Sequence, residues 1–423
     1  MSNTVQVPSG RPGVSRACRR PILAMLSVAC ALVLGAGAAL ADPGDVAFRR
    51  LSGFAGDDLW SGVAAYGSSV YVGGDRNEDG VLRRYSRSGD VIWTRAIHIK
   101  GASVVSIRAV AADASGVYAA GVFSDDHDVG HAFVARYRPN ATPMWAHTLD
   151  LGADSSDLDS FAVAIDTFGS DVYVAGQSRV AADLTAPTTF VQQLDQDGDA
   201  QWTRRVPFDP EGYLGYVDPS EVAASADGVN LVGTGYVGGD DERVVFLRTY
   251  DLDGHHPRSN THPISDSAGA VAVAADGGGA YVVARAEVYD AHPPSYSPYG
   301  SFLLKFDSSA SLLWQRRITA RSNTQAMAVA LAPSGVWVTG IAASRLTNQP
   351  GTSADARGDA FLVRYSRSGE PRLVYQYSQP GRQFGRAIST DEVGIYIAGL
   401  ASRFGSAVAN GAIDGFLLSL ELP

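Results

Sequence analysis

An all-β fold, a seven-bladed β-propeller of four-stranded antiparallel blades, is predicted by three observations. Short apolar runs of period two, rich in β-branched and aromatic residues, fill the chain after residue 45. Gly- and Asp-rich breaks of the kind that close tight turns separate them. The four-run unit then recurs about seven times, at a spacing of roughly 47–59 residues that suits one blade.

The clearest copy spans 160–202. Its first run alternates Phe161, Val163 and Ile165 against Ala162 and Ala164. VYVAG (172–176) and FVQQL (190–194) follow, and a fourth run begins at Trp202. The second run recurs as VYVGG (70–74), VYAAG (117–121), LVGTG (231–235), AYVVA (280–284), VWVTG (336–340) and IYIAG (395–399). The third recurs as VLRRY (81–85), FVARY (133–137), FLRTY (246–250), FLLKF (302–306), FLVRY (361–365) and FLLSL (416–420). First runs are alanine-rich, as AVAA (109–112) and AVAVAA (270–275), which suits an innermost strand where wedge-shaped blades crowd the axis. Fourth runs carry Trp93, Trp145, Trp202 and Trp314, placed to pack between neighbouring blades. The seventh repeat has only three runs, while VAFRRL at Val46–Leu51 stands alone near the start. Pairing the two completes the last blade and removes two free sheet edges.

Residues 1–41 read as a secretory signal peptide: Arg11, Arg16, Arg19 and Arg20 with no acid, a small-apolar run over 21–40, and Ala39-Leu40-Ala41 before Asp42. An uncleaved anchor, lipidation at Cys30 and twin-arginine export through Arg19-Arg20 are the alternatives. Both cysteines, Cys18 and Cys30, fall in this segment, so the mature chain has no thiol, disulfide or CxxC chemistry. Residues 42–423 read as a single domain with no further membrane span. Cleavage removes four arginines, taking the formal charge from −10 to about −14, which disfavours nucleic acid and suits a monomer in an exposed compartment, periplasm or medium.

Copies such as VAIDTFGSDVYVAG (163–176) and DAFLVRYSRSGE (359–370) resemble the SBBP-type β-propeller repeats of secreted bacterial proteins, over nearly the whole chain after residue 45. That resemblance implies the fold and export, and brings no catalytic residues. VYVGGDRNEDGVLRRYSRSGDVIW (70–93) is also similar to quinoprotein-type propeller repeats, in Val70–Gly73, Asp79-Gly80 and Gly89-x-x-x-Trp93. Many quinoprotein enzymes use adjacent cysteines, which are lacking here, so this likeness reads as shared blade packing and not as a quinone site.

Strand parity divides the connections between two faces. First-to-second and third-to-fourth connections are short; every long one, at 124–130, 177–188, 207–219, 287–300, 342–358 and 401–412, falls on the opposite face. Long loops on a rigid scaffold suit recognition, although insertion there is also cheap. Phe208, Tyr213, Tyr216, Tyr289, His292, Tyr296 and Tyr299 in these loops are candidate ligand contacts, since Tyr offers rigid amphipathic area; the alternative is that the loops pack on themselves. Asp125, Asp126, His127, Asp128 and His131 form a possible Ca²⁺ or Zn²⁺ set, against a solvated acidic loop. Asp195–Asp199 and Asp251–Gly254 resemble fragments of calcium loops, but fall where a hairpin turn is required. No G-x-S-x-G, H-E-x-x-H or P-loop is present. The sequence points to a scaffold that binds a protein or carbohydrate through its long-loop face. The alternatives are a lyase or glycoside hydrolase with an acidic site at the channel mouth, and an envelope assembly protein.

Overall fold

The computed structural model describes residues 46–422 other than 55, 152–157, 181–182, 207–213, 238–241, 266, 288–298, 319–323, 343–345, 347–357, 378, 380 and 403–412. The signal segment and its alternatives lie outside the described residues. Among those described, 28 strands form seven four-stranded antiparallel sheets, and no helix is long and apolar enough to cross a membrane. Six sheets follow chain order. The seventh contains Arg382–Thr390, Gly394–Ser402 and Ile413–Glu421, with Val46–Leu51 as its outer strand. That strand runs antiparallel to the last one, from Val46 opposite Leu420 to Leu51 opposite Phe416. The ring is therefore closed by both ends of the domain, as the orphan run predicts.

Apolar patterning follows each strand's place in its blade. Second strands such as Gly335–Ala342 are buried on both faces, because each blade is covered on either side by a neighbour. Fourth strands such as Val91–Ala96 are largely exposed. The core accordingly lies in the seams: among the described residues, seven apolar clusters each join one blade to the next. Phe48 of the closing strand enters the seam with blade one, beside Trp60 and Tyr85. Its burial contributes on the order of 2 kcal/mol.

Aromatic pairs brace four blades. The second-strand tyrosine meets the fourth-strand tryptophan in Tyr71–Trp93, Tyr118–Trp145, Tyr173–Trp202 and Tyr281–Trp314, with ring centroids 6.1–6.2 Å apart. Three of these indoles donate to a turn carbonyl of the following blade: Trp93 to Pro139 (2.8 Å), Trp145 to Gln196 (2.9 Å) and Trp202 to Leu252 (3.0 Å). The turn glycine lies on the ring, with Gly198 against Trp145 and Gly254 against Trp202, where any Cβ would meet the indole. This explains the Gly-x-x-x-Trp repeat. Blade four has Asn230 in place of the tyrosine and lacks the tryptophan, so both members of the pair are lost together.

The glycine ending the second-strand motif has a different cause. Every innermost strand carries one extra residue at the same height: Ser61, Arg108, Val163, Ser220, Val271, Met327 and Arg386. This bulge pushes a first-strand carbonyl against the second strand. A Cβ would overlap the carbonyl of Leu59 at Gly74, of Ser106 at Gly121, of Phe161 at Gly176 and of Phe384 at Gly399. Replacing Gly121 by Ala is expected to cost about 2–3 kcal/mol through this overlap. Gly67→Ala, at φ +57° with open space around it, should cost only about 1 kcal/mol. Urea unfolding of the two variants checks the difference, and equal losses would contradict the bulge explanation.

Candidate functional site

The short-turn face is held by its own side chains. Asp113 Oδ1 accepts the N–H groups of Ser115 (2.7 Å) and Gly116 (3.1 Å). Asp391 Oδ1 does the same for Val393 and Gly394. In the calcium-like runs, Asp195 Oδ1 accepts from Asp197 (2.9 Å) and Asp199 (3.0 Å), and Asp251 Oδ1 accepts from His255 (2.6 Å). These carboxylates close hairpin turns.

On the opposite face, the 124–131 run folds as a turn built round Asp125. Its Oδ1 accepts the N–H groups of His127 (2.8 Å) and Val129 (3.0 Å), and its Oδ2 lies 3.1 Å from His131 Nε2. The His131 bond, reinforced by the two N–H groups, holds the Asp125 carboxyl down at about 2. Asp125, Asp126 and His127 have ligand atoms within 4.8 Å of one another, and Asp128 occupies a left-handed position at φ 61°. Three of the five candidate metal residues are thus gathered, while His131 is tied to Asp125.

Two expected loops contain more strand than the sequence suggests. In blade three, the second strand extends to Val180 and the third starts at Asp183, so most of 177–188 is a lengthened hairpin. In blade four, strand begins at Leu214 and takes in Tyr216. Tyr216 is half-buried and stacks on Tyr236, with centroids 4.1 Å apart and planes 10° apart. The Tyr236 hydroxyl donates to Asp218 Oδ2 (3.2 Å), which shares its carboxylate with Gln177 Nε2 (2.7 Å). Arg243 lies 5.7 Å above the Tyr236 ring. Beside this stack is a cavity of about 400 Å³ lined by Thr234, Tyr236, Arg243, Gly269, Arg285 and Gln325. Tyr299 lies at a strand start opposite Glu287. Phe208, Tyr213, Tyr289, His292 and Tyr296 lie outside the described residues.

The axial channel holds a second cavity of about 400 Å³, walled by first strands. One position past the bulge the residues are Gly62, Ala109, Ala164, Ala272, Ala328 and Ala387, but in blade four Glu221, which lines the cavity. Three positions past it, Asp166 of blade three stands where most blades have Ala. Asp166 Oδ2 accepts the N–H of Ala224 in the next blade and Oδ1 accepts that of Thr167, both at 2.8 Å. Ser389 makes the matching bond to the N–H of Ala65 (3.0 Å), so this position ties one inner strand to the next. Burial raises the Asp166 carboxyl to about 6 despite those bonds. Burial and then the Asp166 charge push Glu221 up to about 8. Reading each repeat singly passes over both residues; aligning the seven first strands exposes them as acids at small-residue positions.

No family model matches the chain, and no curated relative matches it. Solved structures of similar architecture include the WD40 domain of Toxoplasma gondii coronin, at 11% identity over 90% of this chain and 89% of that one, with a TM-score of 0.47. The β-propeller domain of the Trilobed protease from Pyrococcus furiosus, described as having an open velcro topology, is 9% identical over 88% and 97%, at 0.46. The PQQ-bound aldose sugar dehydrogenase of Streptomyces coelicolor is 13% identical over 90% and 99%, at 0.38. The class defined by the chain's own seven sheets is the seven-bladed β-propeller.

Glu221 makes stability depend on pH. Its unfolded value is near 4.5, so between there and about 8 the folded chain binds more protons than the unfolded one. Stability therefore falls as pH rises through that window. Glu221→Gln is expected to flatten this slope and to stabilise the chain at about pH 9 by on the order of 1 kcal/mol, discounted for channel water. Thermal midpoints measured from about pH 5 to pH 9 check it, and parallel curves for both proteins would contradict the assignment.

Proposed function

We propose that this chain is an exported β-propeller that binds a protein or carbohydrate partner through the face carrying its long connections. One observation carries the reading: the two faces are built on different terms. The short turns of one face are closed by Asp or Ser side chains of their own, as at Asp113, Asp195, Asp391, Ser86 and Ser366. The longest connections, over 288–298, 343–357 and 403–412, all leave from the other. On that face the Tyr216–Tyr236 stack and Arg243 border a cavity of ligand size. A rigid ring bearing variable loops on one side is a frequent arrangement for recognition. The signal-like first 41 residues support export to periplasm or medium, and the repeat likeness supports placement among SBBP-type secreted propellers.

An enzymatic reading, a lyase or glycoside hydrolase with an acidic channel site, has Glu221 in its favour. Asp166 has both oxygens engaged by backbone N–H groups, which leaves one free carboxyl where glycoside hydrolysis commonly uses two.

A glycan array and a pull-down from the native host identify the partner. Changing Tyr213, Tyr216, Tyr289 and Tyr296 together to Ala should weaken its retention at least about tenfold. Retention equal to wild type would remove the long-loop face from the reading. Turnover that disappears in Glu221→Gln would favour the enzyme instead.

A further inference from the structure

Three neighbouring blades each aim their bulged residue at the axial channel, at one height: Arg386 from blade seven, Ser61 from blade one and Arg108 from blade two. At the other four blades the same position holds Val163, Ser220, Val271 and Met327. Two guanidinium groups are therefore concentrated on one side of a channel otherwise walled mainly by Ala and Val. Neither forms a hydrogen bond or close ion pair among the described residues, and both are exposed to the channel.

Their placement is electrostatically uphill. Burial, followed by the Arg108 charge, holds the Arg386 guanidinium below its ordinary value. The nearby counter-charge is Asp75, which also accepts bonds from Ser106 Oγ (2.8 Å) and the Ile107 N–H (2.9 Å). Asp75 acts on both guanidinium groups, so within this cluster two positive charges face one negative. Glu221 faces the same cavity, with only a long 3.4 Å contact to the Val222 N–H.

We propose that the Arg386–Ser61–Arg108 cradle binds a small carboxylate anion in the axial channel, a hydroxy acid or sugar acid, with Glu221 hydrogen-bonded to one of its hydroxyls. Guanidinium forks match the planar carboxylate and the Ser61 hydroxyl adds a neutral donor. Two guanidinium groups against the one carboxylate of Asp75 suit a monoanion better than a phosphate dianion, and Asp166 and Glu221 of blades three and four oppose added negative charge. A cavity of about 400 Å³ is large enough for such a ligand. This site is separate from the loop face, so it stands or falls independently of the partner proposed there.

Titration calorimetry of the purified full chain at about pH 8, where inorganic phosphate is chiefly the dianion, with lactate, D-glucuronate, D-glucose and phosphate as probes, tests it. Lactate or glucuronate should bind, glucose should not, and phosphate should bind more weakly than the carboxylate. Arg108→Gln and Arg386→Gln should each weaken carboxylate binding at least about tenfold. Arg138→Gln, on the short-turn face, should leave it unchanged. Thermal melts without ligand show that each variant is folded. Failure of both carboxylates to bind at 10-millimolar scale, phosphate binding as tight as carboxylate, or full affinity in the folded Arg108→Gln and Arg386→Gln variants would each overturn the proposal.

Discussion

The whole molecule depends on the antiparallel pairing of Val46–Leu51 with Ile413–Glu421. Seven wedge-shaped sheets bury their apolar faces only against each other, so an open ring would expose two of them. The closing strand supplies both ladder hydrogen bonds and side-chain packing. Ser52 N–H extends the pairing to the Gly415 carbonyl, and Arg50 reaches the turn carbonyls of Gly89 and Ser88 in blade one. Arg87 of that turn meets Asp391 of blade seven at 3.0 Å. The last seam is thus tied by backbone, apolar packing and charge at once.

Closure in turn sets the conditions at the axis. First strands crowd together there, and small residues and a shared bulge relieve the crowding. Gly62 shows how tight the wall is, since a Cβ on it would meet the backbone of blade two. Where the second-strand glycine is replaced, by Ala284, the first-strand residue before the bulge pair is Gly269. A Cβ on Gly269 would meet the Thr234 side chain of blade four, so this glycine answers to the neighbouring blade. In a wall otherwise mainly of Ala and Val a charged side chain stands out, which is why Arg108, Arg386, Asp166 and Glu221 are informative.

These four charged residues do different work. Asp166 bridges two inner strands through backbone N–H groups, a role Ser389 performs elsewhere without charge. Among the described residues Glu221 accepts only the long 3.4 Å contact from the Val222 N–H, and its raised carboxyl reflects burial beside Asp166. The two arginines form no hydrogen bond among the described residues, and Asp75 is the carboxylate whose charge acts on both. Loop-face chemistry differs again: the Asp125 carboxylate is spent on its own turn and on His131, and Tyr216 is stacked on Tyr236.

Local pattern alone determined the strands, their grouping in fours, the count of seven and the partner of the orphan run Val46–Leu51. Each follows from short-range physics repeated many times: period-two burial, turn residues with positive φ, and the need to leave no edge unpaired. Tryptophan at the seams was legible for the same reason, since the tryptophan of one repeat meets the turn glycine of the next, as Trp145 meets Gly198. The channel was not legible, because its residues meet only after the ring closes. Arg108 and Arg386 are far apart in the chain and neighbours only across blade one, and the bulge that aims them leaves no mark except a glycine on the adjacent strand. Extension of the 177–188 and 214–237 hairpins beyond the ring was also a tertiary decision, taken by the Gln177–Asp218–Tyr236 bonds and the Tyr216 stack, which no local periodicity announces.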